Sequence, residues 1–208
     1  MLEDVHEGRV NLLVGTQILA KGHHFSRLTL VAVLNADAGL FAADYRAGER
    51  LFAQLEQVAG RAGRADLPGE VWIQTRFPDH PLYQALQRHD FEGFAASVLQ
   101  ERQSAGFPPF VFEAALRAEA QDREKAQRFL DTAIAAAPAG SDGITLFRPV
   151  PMAIPRLAKL ERVQVIIQSE SRPRLQAWLQ KWTESLHDLR GTPVQGVRWH
   201  LDIDPTEF

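Results

Sequence analysis

The sequence predicts an α/β chain in two parts. A parallel sheet with trailing helices occupies residues 1–105, and a smaller α+β domain follows over residues 106–208. Three observations predict this. Short apolar runs alternate with a helical stripe in the first part, as in a parallel sheet with crossover helices. Gly106-Phe107-Pro108-Pro109 is the strongest break in the chain. Beyond it the elements run β-α-β-β-α-β, the split-βαβ or ferredoxin-like order.

The elements follow in order. Val10–Val14 is an apolar run ending at Gly15, and Leu28–Leu34 is nearly all apolar, as expected of a strand covered on both faces. Leu51, Phe52, Leu55 and Val58 have helical spacing. Val71-Trp72-Ile73 begins a third strand after the turn signal Pro68-Gly69. From Pro81 to about Arg102 the chain reads as helix, with Leu82, Leu86, Phe91, Phe94 and Leu99 facing inward and Asp90 placed to cap a second segment. In the second part Phe110–Ala118 reads as strand, Asp122–Ala137 as helix, Ile144–Phe147 and Val163–Ile167 as strands, Ser171–His187 as helix and Val197–Ile203 as the closing strand. Trp178, Trp182 and Trp199 are read as core rather than as base-stacking platforms.

Composition limits the function. A net charge of −3 argues against the whole chain acting as an electrostatic nucleic-acid binder. The charge is uneven, however. Between residues 148 and 174, Arg148, Arg156, Lys159, Arg162, Arg172 and Arg174 stand against Glu161 and Glu170. The chain has no cysteine, which excludes disulfides and Cys-based zinc sites within it. No apolar run approaches the roughly 20 residues that span a bilayer, and the acidic N-terminus does not read as a signal peptide. A cytoplasmic protein with no membrane partner is expected.

Two strings carry the chemistry. Gly15-Thr16-Gln17-Ile18-Leu19-Ala20-Lys21-Gly22 follows the first apolar run, where open α/β sheets place ligands beyond strand carboxyl ends. Thr16 and Gln17 offer hydrogen bonds and Lys21 offers charge, suited to a phosphate or a nucleic-acid backbone. The string is not a P-loop, because Ala20 precedes Lys21 and Gly22 follows it. No acidic metal-binding box accompanies it. The second string is Gln57-Val58-Ala59-Gly60-Arg61-Ala62-Gly63-Arg64. Glycine lets the backbone approach closely, and arginine presents a planar, permanently charged fork to phosphate oxygens. An arginine finger of this kind contributes about 10³–10⁵ in rate to phosphoryl transfer. His23 and His24 find no third ligand at metal-binding spacing. Asp37 and Asp44 read as turn and helix caps, and Asp44 with Arg46, Glu49 and Arg50 as surface ion pairs.

These strings resemble motifs V and VI of superfamily 2 helicases. The longer run GTQILAKGHHF, LTLVAVLNADAGL, DYRAGER, QVAGRAGR and GEVWIQT, with FPPF and a WHLDIDP ending, resembles the primosomal replication-restart DNA helicases (primosomal protein N′, PriA). The resemblance implies a partial RecA-like helicase lobe 2 followed by an S10-like C-terminal domain. It implies a parent that is an ATP- and Mg²⁺-dependent 3′→5′ DNA helicase, restarts stalled forks and assembles the primosome. The parent's zinc insertion would lie outside this chain, which would begin after it, as a C-terminal fragment. On that resemblance Arg61 and Arg64 face ATP held on the other lobe, Arg64 being the better finger. Gln57, Gly60 and Gly22 belong to the nucleotide site, and Thr16, Gln17 and Lys21 couple that site to DNA. The chain departs from the family pattern at Asn35 and at His24. Nothing in it reads as a holder of Mg²⁺ or of the β-phosphate, so the isolated chain is expected not to hydrolyse ATP.

The family also implies a C-terminal domain that meets forked and single-stranded DNA and the acidic tail of single-strand-binding protein. Arg172 and Gln176 lie one turn apart on a helix that Ser171 could cap. With Arg174 they are the expected tail contacts, and Leu175 or Trp178 the apolar ones. The alternative to a motor fragment is therefore a non-catalytic binding module for that tail or for branched DNA.

Overall fold

The computed structural model describes residues 4, 5, 7, 9–16, 28–42, 44–63, 68–140, 142–189 and 195–206. The chain divides into two units, Met1–Val98 and Leu99–Phe208.

In the first unit β1 (Leu30–Val33) and β2 (Glu70–Ile73) pair in parallel, Leu30 opposite Glu70 and Val33 opposite Ile73. The crossover between them contains α1 (Asp37–Leu40) and α2 (Ala47–Ala59), and α3 (Pro81–Arg88) and α4 (Phe91–Ala105) follow β2. The helical stripe of α2 forms as its spacing requires: Leu51, Phe52 and Leu55 pack with Leu82 and Leu86 of α3 and Phe94 of α4, and Val33 and Ile73 close the cluster. Phe52 stacks on Phe94 with ring centroids 4.4 Å apart. Each such side chain contributes about 1.5–3 kcal/mol by leaving water. Asp90 caps α4, its Oδ1 accepting from the Gly93 amide at 2.8 Å.

Two expectations are corrected here. Residues 9–16 form no strand, and Leu12 and Val14 are 78% and 82% exposed. A strand exists only by laddering with a neighbour, and among the described residues β1 and β2 pair only with each other in this unit. Among the described residues the sheet is also covered on one face only. Val31, Val33, Val71 and Ile73 are half-buried toward the helices, while Leu30 and Trp72 on the other face are exposed.

The second unit is an antiparallel sheet of β3 (Phe112–Ala120), β4 (Thr145–Leu146), β5 (Val150–Leu157), β6 (Leu160–Ser169) and β7 (Arg198–Ile203). Its order is β4-β6-β3-β7, with β5 on the same edge of β6 as β4. Counting β4 and β5 as one edge gives the ferredoxin-like arrangement. The helices α5 (Arg123–Ala135) and α6 (Arg172–Asp188) cover one face. Alternate residues of the central strands, Leu116 and Ala118 of β3 and Val163, Val165 and Ile167 of β6, meet Phe129 of α5 and Leu179 of α6. The Trp182 indole N–H donates to the Ala133 carbonyl at 2.8 Å. That carbonyl lies in the last turn of α5, where helix carbonyls lack partners of their own.

The strand β5, which contains Pro151 and Pro155, stands where the sequence predicts none. Proline is tolerated on an edge strand, and among the described residues β5 pairs only with β6. Its register slips between Pro151 and Arg156, so residues 152–155 stand against Arg162 alone before the hairpin closes on Ala158 and Lys159, both at positive φ.

Candidate functional site

Residues 57–63 of the second string run over the end of α2. Beyond Ala59 the chain leaves the helix through tight turns: Arg61 N–H donates to the Val58 carbonyl at 3.0 Å and Ala62 N–H to the Ala59 carbonyl at 3.1 Å. Gly63, at φ +70°, then donates to the Leu28 carbonyl at 3.0 Å. A Cβ on Gly69 would collide with the Gly63 backbone, so the two glycines touch. Glu70 N–H donates to the Thr29 carbonyl at 2.8 Å just after. The turn is thus pinned to the amino ends of both strands. It presents Gln57 and Gly60, both exposed, and Arg61, half-buried, within one turn of each other. Thr16 is exposed. Arg64, Gly22, Gln17, Lys21, His23 and His24 lie outside the described residues.

At the opposite, carboxyl ends of the strands, Asp37 acts as a structural latch. It accepts from Thr75 Oγ1 at 2.6 Å, from Tyr83 Oη at 3.0 Å and from the Arg76 amide at 2.8 Å. The Thr75 hydroxyl, then the Arg76 amide, hold its carboxyl below the usual carboxylate range, while burial pushes the Tyr83 phenol up. With its lone pairs committed to donors, Asp37 ties the turns after β1 and β2 to α3. Asp37 thus caps no helix, which corrects that expectation, whereas Asp44 caps its turn, accepting the Arg46 amide at 2.9 Å and pairing with Arg50 at 2.8 Å. Asn35 adopts φ +54°, a left-handed conformation that Asn tolerates better than most residues.

In the second unit Arg172 opens α6. Its Nη1 and Nη2 donate to both oxygens of Asp204, at 2.6 and 3.1 Å, and its guanidinium lies 4.6 Å over the Phe112 ring. Asp204 raises the Arg172 pKa further. Nothing local in the sequence announces this clamp, because Asp204 is 32 residues away. Ser171 occupies the cap position but its side chain makes no capping hydrogen bond, which corrects that expectation. Gln176 is exposed one turn from Arg172. Arg174 reaches the Asp142 carbonyl at 3.4 Å and packs against Gly143. Leu175 and Trp178 do not line this surface: they are 2% and 6% exposed and belong to the core.

Among the described residues no group of His, Cys, Asp or Glu could hold a metal ion. No helix among them is long and apolar enough to cross a membrane.

Comparison with known proteins accounts for both units. The family described as "Helicase conserved C-terminal domain" matches residues 1–66, and the family described as "Primosomal protein N C-terminal domain" matches residues 103–206. The chain is 41% identical over its whole length to replication restart protein PriA of Haemophilus influenzae, and 32% identical over its whole length to that of Rickettsia conorii. It is 36% identical to the Treponema pallidum protein over 98% of its length. It spans 28%, 31% and 30% of those three relatives. A parallel α/β unit that ends its crossover helix in a pinned glycine–arginine turn precedes an antiparallel α+β unit, and each carries its own family match in that order: the chain belongs to the PriA family of replication restart proteins.

Proposed function

We propose that this chain supplies the distal part of the second motor lobe and the C-terminal domain of an ATP-driven 3′→5′ DNA helicase that restarts stalled forks and assembles the primosome. The observation that carries this reading is the Gly60–Gly63 turn. The Gly63 hydrogen bond to Leu28 fixes the turn's backbone, Arg61 included, relative to the sheet, and a cation carried on a preorganised segment stabilises transition-state charge at little reorganisation cost. Arg61 and Arg64 act on the terminal phosphates of ATP, with Gln57, Gly60 and Gly22 beside them. Thr16, Gln17 and Lys21 pass the change to the DNA backbone. ATP supplies the free energy for translocation. The remaining walls of the site belong to other parts of the longer protein, so the chain alone hydrolyses no ATP.

The test places this segment in the Haemophilus influenzae relative in place of its counterpart. DNA-stimulated ATP hydrolysis is expected, falling by about 10³ or more in Arg61→Ala or Arg64→Ala with nucleotide affinity much less changed. Turnover by the isolated chain, lost on Arg64→Ala, would contradict the reading.

A second reading is favoured by the Arg172 clamp. Here the unit docks the acidic tail of single-strand-binding protein through Arg172, Arg174 and Gln176. The guanidinium is half-exposed, backed by Phe112, and already shaped for a carboxylate by Asp204.

A further inference from the structure

We propose that the β5–β6 hairpin is a DNA contact surface, on which Arg148 and Lys159 hold strand phosphates while Ile154 and Leu157 rest against sugars and bases. This rests on the reading that the chain works on DNA.

Arg148 and Lys159 make no ion pair with the described residues. Arg156 is paired with Glu161 only loosely, at 3.5 Å, and its side chain is 67% exposed. The hairpin is therefore cationic in a chain whose net charge is −3. Lysine and proline on an edge strand have a bland explanation, since they discourage pairing with other chains. That explanation does not cover the apolar residues set among them. Val150 is 45% exposed, Ile154 58% and Leu157 52%. Within the register slip over residues 152–155 Ile154 is exposed while Met152 stays buried. Cations interleaved with exposed apolar side chains suit a polyanion that also offers apolar ring faces. Phe147 N–H donates to the Ile166 carbonyl, and the hairpin closes at Leu157 opposite Leu160. Between those points β6 extends about 20 Å, the reach of several consecutive phosphates.

The test is fluorescence anisotropy of the 208-residue chain on a forked oligonucleotide at about 50 and 200 mM salt. Losing two phosphate contacts lowers the salt slope by about 1.4–1.8. Over that fourfold range the wild-type chain should therefore lose about tenfold more affinity than Arg148→Ala/Lys159→Ala. The charge-preserving Arg148→Lys/Lys159→Arg should bind as the wild type does. Ile154→Ser/Leu157→Ser should weaken binding with the slope unchanged. As a control, Arg123→Ala/Arg128→Ala on α5 removes the same charge elsewhere and should leave both affinity and slope intact.

The inference is overturned if the wild-type chain binds no DNA at the lower salt, if the hairpin variant keeps the wild-type slope, or if the control variant loses as much. The motor reading is measured separately, by ATP hydrolysis in the longer protein. Unaltered DNA binding by the hairpin variant would leave that reading standing, and an inactive motor would leave the anisotropy result standing.

Discussion

Replacing Trp182 and Trp178 by phenylalanine, one at a time, isolates a single hydrogen bond in the core of the second unit. The two indoles neighbour each other on α6, with ring centroids 5.0 Å apart, and they are 0% and 6% exposed. Either substitution removes a similar volume, worth about 1 kcal/mol as residual cavity. They differ in the indole N–H. That of Trp182 donates to the Ala133 carbonyl at 2.8 Å, so Trp182→Phe also strips a buried acceptor of its donor, at about 1–3 kcal/mol. That of Trp178 is buried without an acceptor among the described residues, so Trp178→Phe relieves a poorly satisfied donor. Trp182→Phe should therefore be the less stable by about 1–3 kcal/mol, a gap of roughly 5 °C or more in the melting temperature of a unit this size. Urea and thermal unfolding followed by circular dichroism measure it. Equal stability of the two variants would refute the hydrogen-bond assignment, and a greater loss from Trp178→Phe would reverse it. Neither substitution should weaken DNA binding, because both rings are core.

Further outcomes follow from the other contacts. Gly63→Ala places a Cβ at φ +70°, where the left-handed region costs about 1–2 kcal/mol; a thermal melt should show the first unit destabilised, and an unchanged melt would mean the turn is not pinned as described. Asp204→Asn leaves the Arg172 fork with a neutral partner, so an acidic tail peptide should bind several-fold tighter by titration calorimetry; unchanged or weaker affinity would remove Arg172 from the tail site. Asp37 has a depressed pKa in the folded protein, so its stabilising contribution is complete above the usual carboxylate range and is lost as pH falls through the folded value. Asp37→Asn should accordingly flatten the acid limb of the first unit's stability below about pH 5, and wild-type and variant curves that stay parallel would deny the latch its role.

Sequence reading succeeded where a feature is written in neighbouring residues. The α2 stripe of Leu51, Phe52 and Leu55 buries as its spacing requires, because helix geometry turns a local repeat into one face. The β-α-β-β-α-β order appears in the second unit because alternation along β3 and β6 leaves one apolar face for two helices to cover. Reading failed where the outcome depends on a distant partner. Val10–Val14 has strand composition but pairs with no described neighbour. The sequence predicts no strand at β5, which holds Pro151 and Pro155, and its edge position leaves their missing N–H harmless. Trp72, on the face of β2 away from the helices, is 63% exposed.

The candidate site divides in the same way. Local sequence alone determined that Gly60, Arg61 and Gly63 close α2 with a charged turn, since backbone freedom and permanent charge are properties of those residues wherever they fold. The tertiary structure decided where the turn sits, by hydrogen-bonding Gly63 to Leu28 and packing it on Gly69. It likewise decided that Arg172 meets Asp204 and Phe112, and that Asp37 meets Thr75 and Tyr83. Those partners lie 32 to 60 residues away along the chain, and a hydrogen bond or ion pair acts only over a few ångströms, so folding alone brings such groups within range.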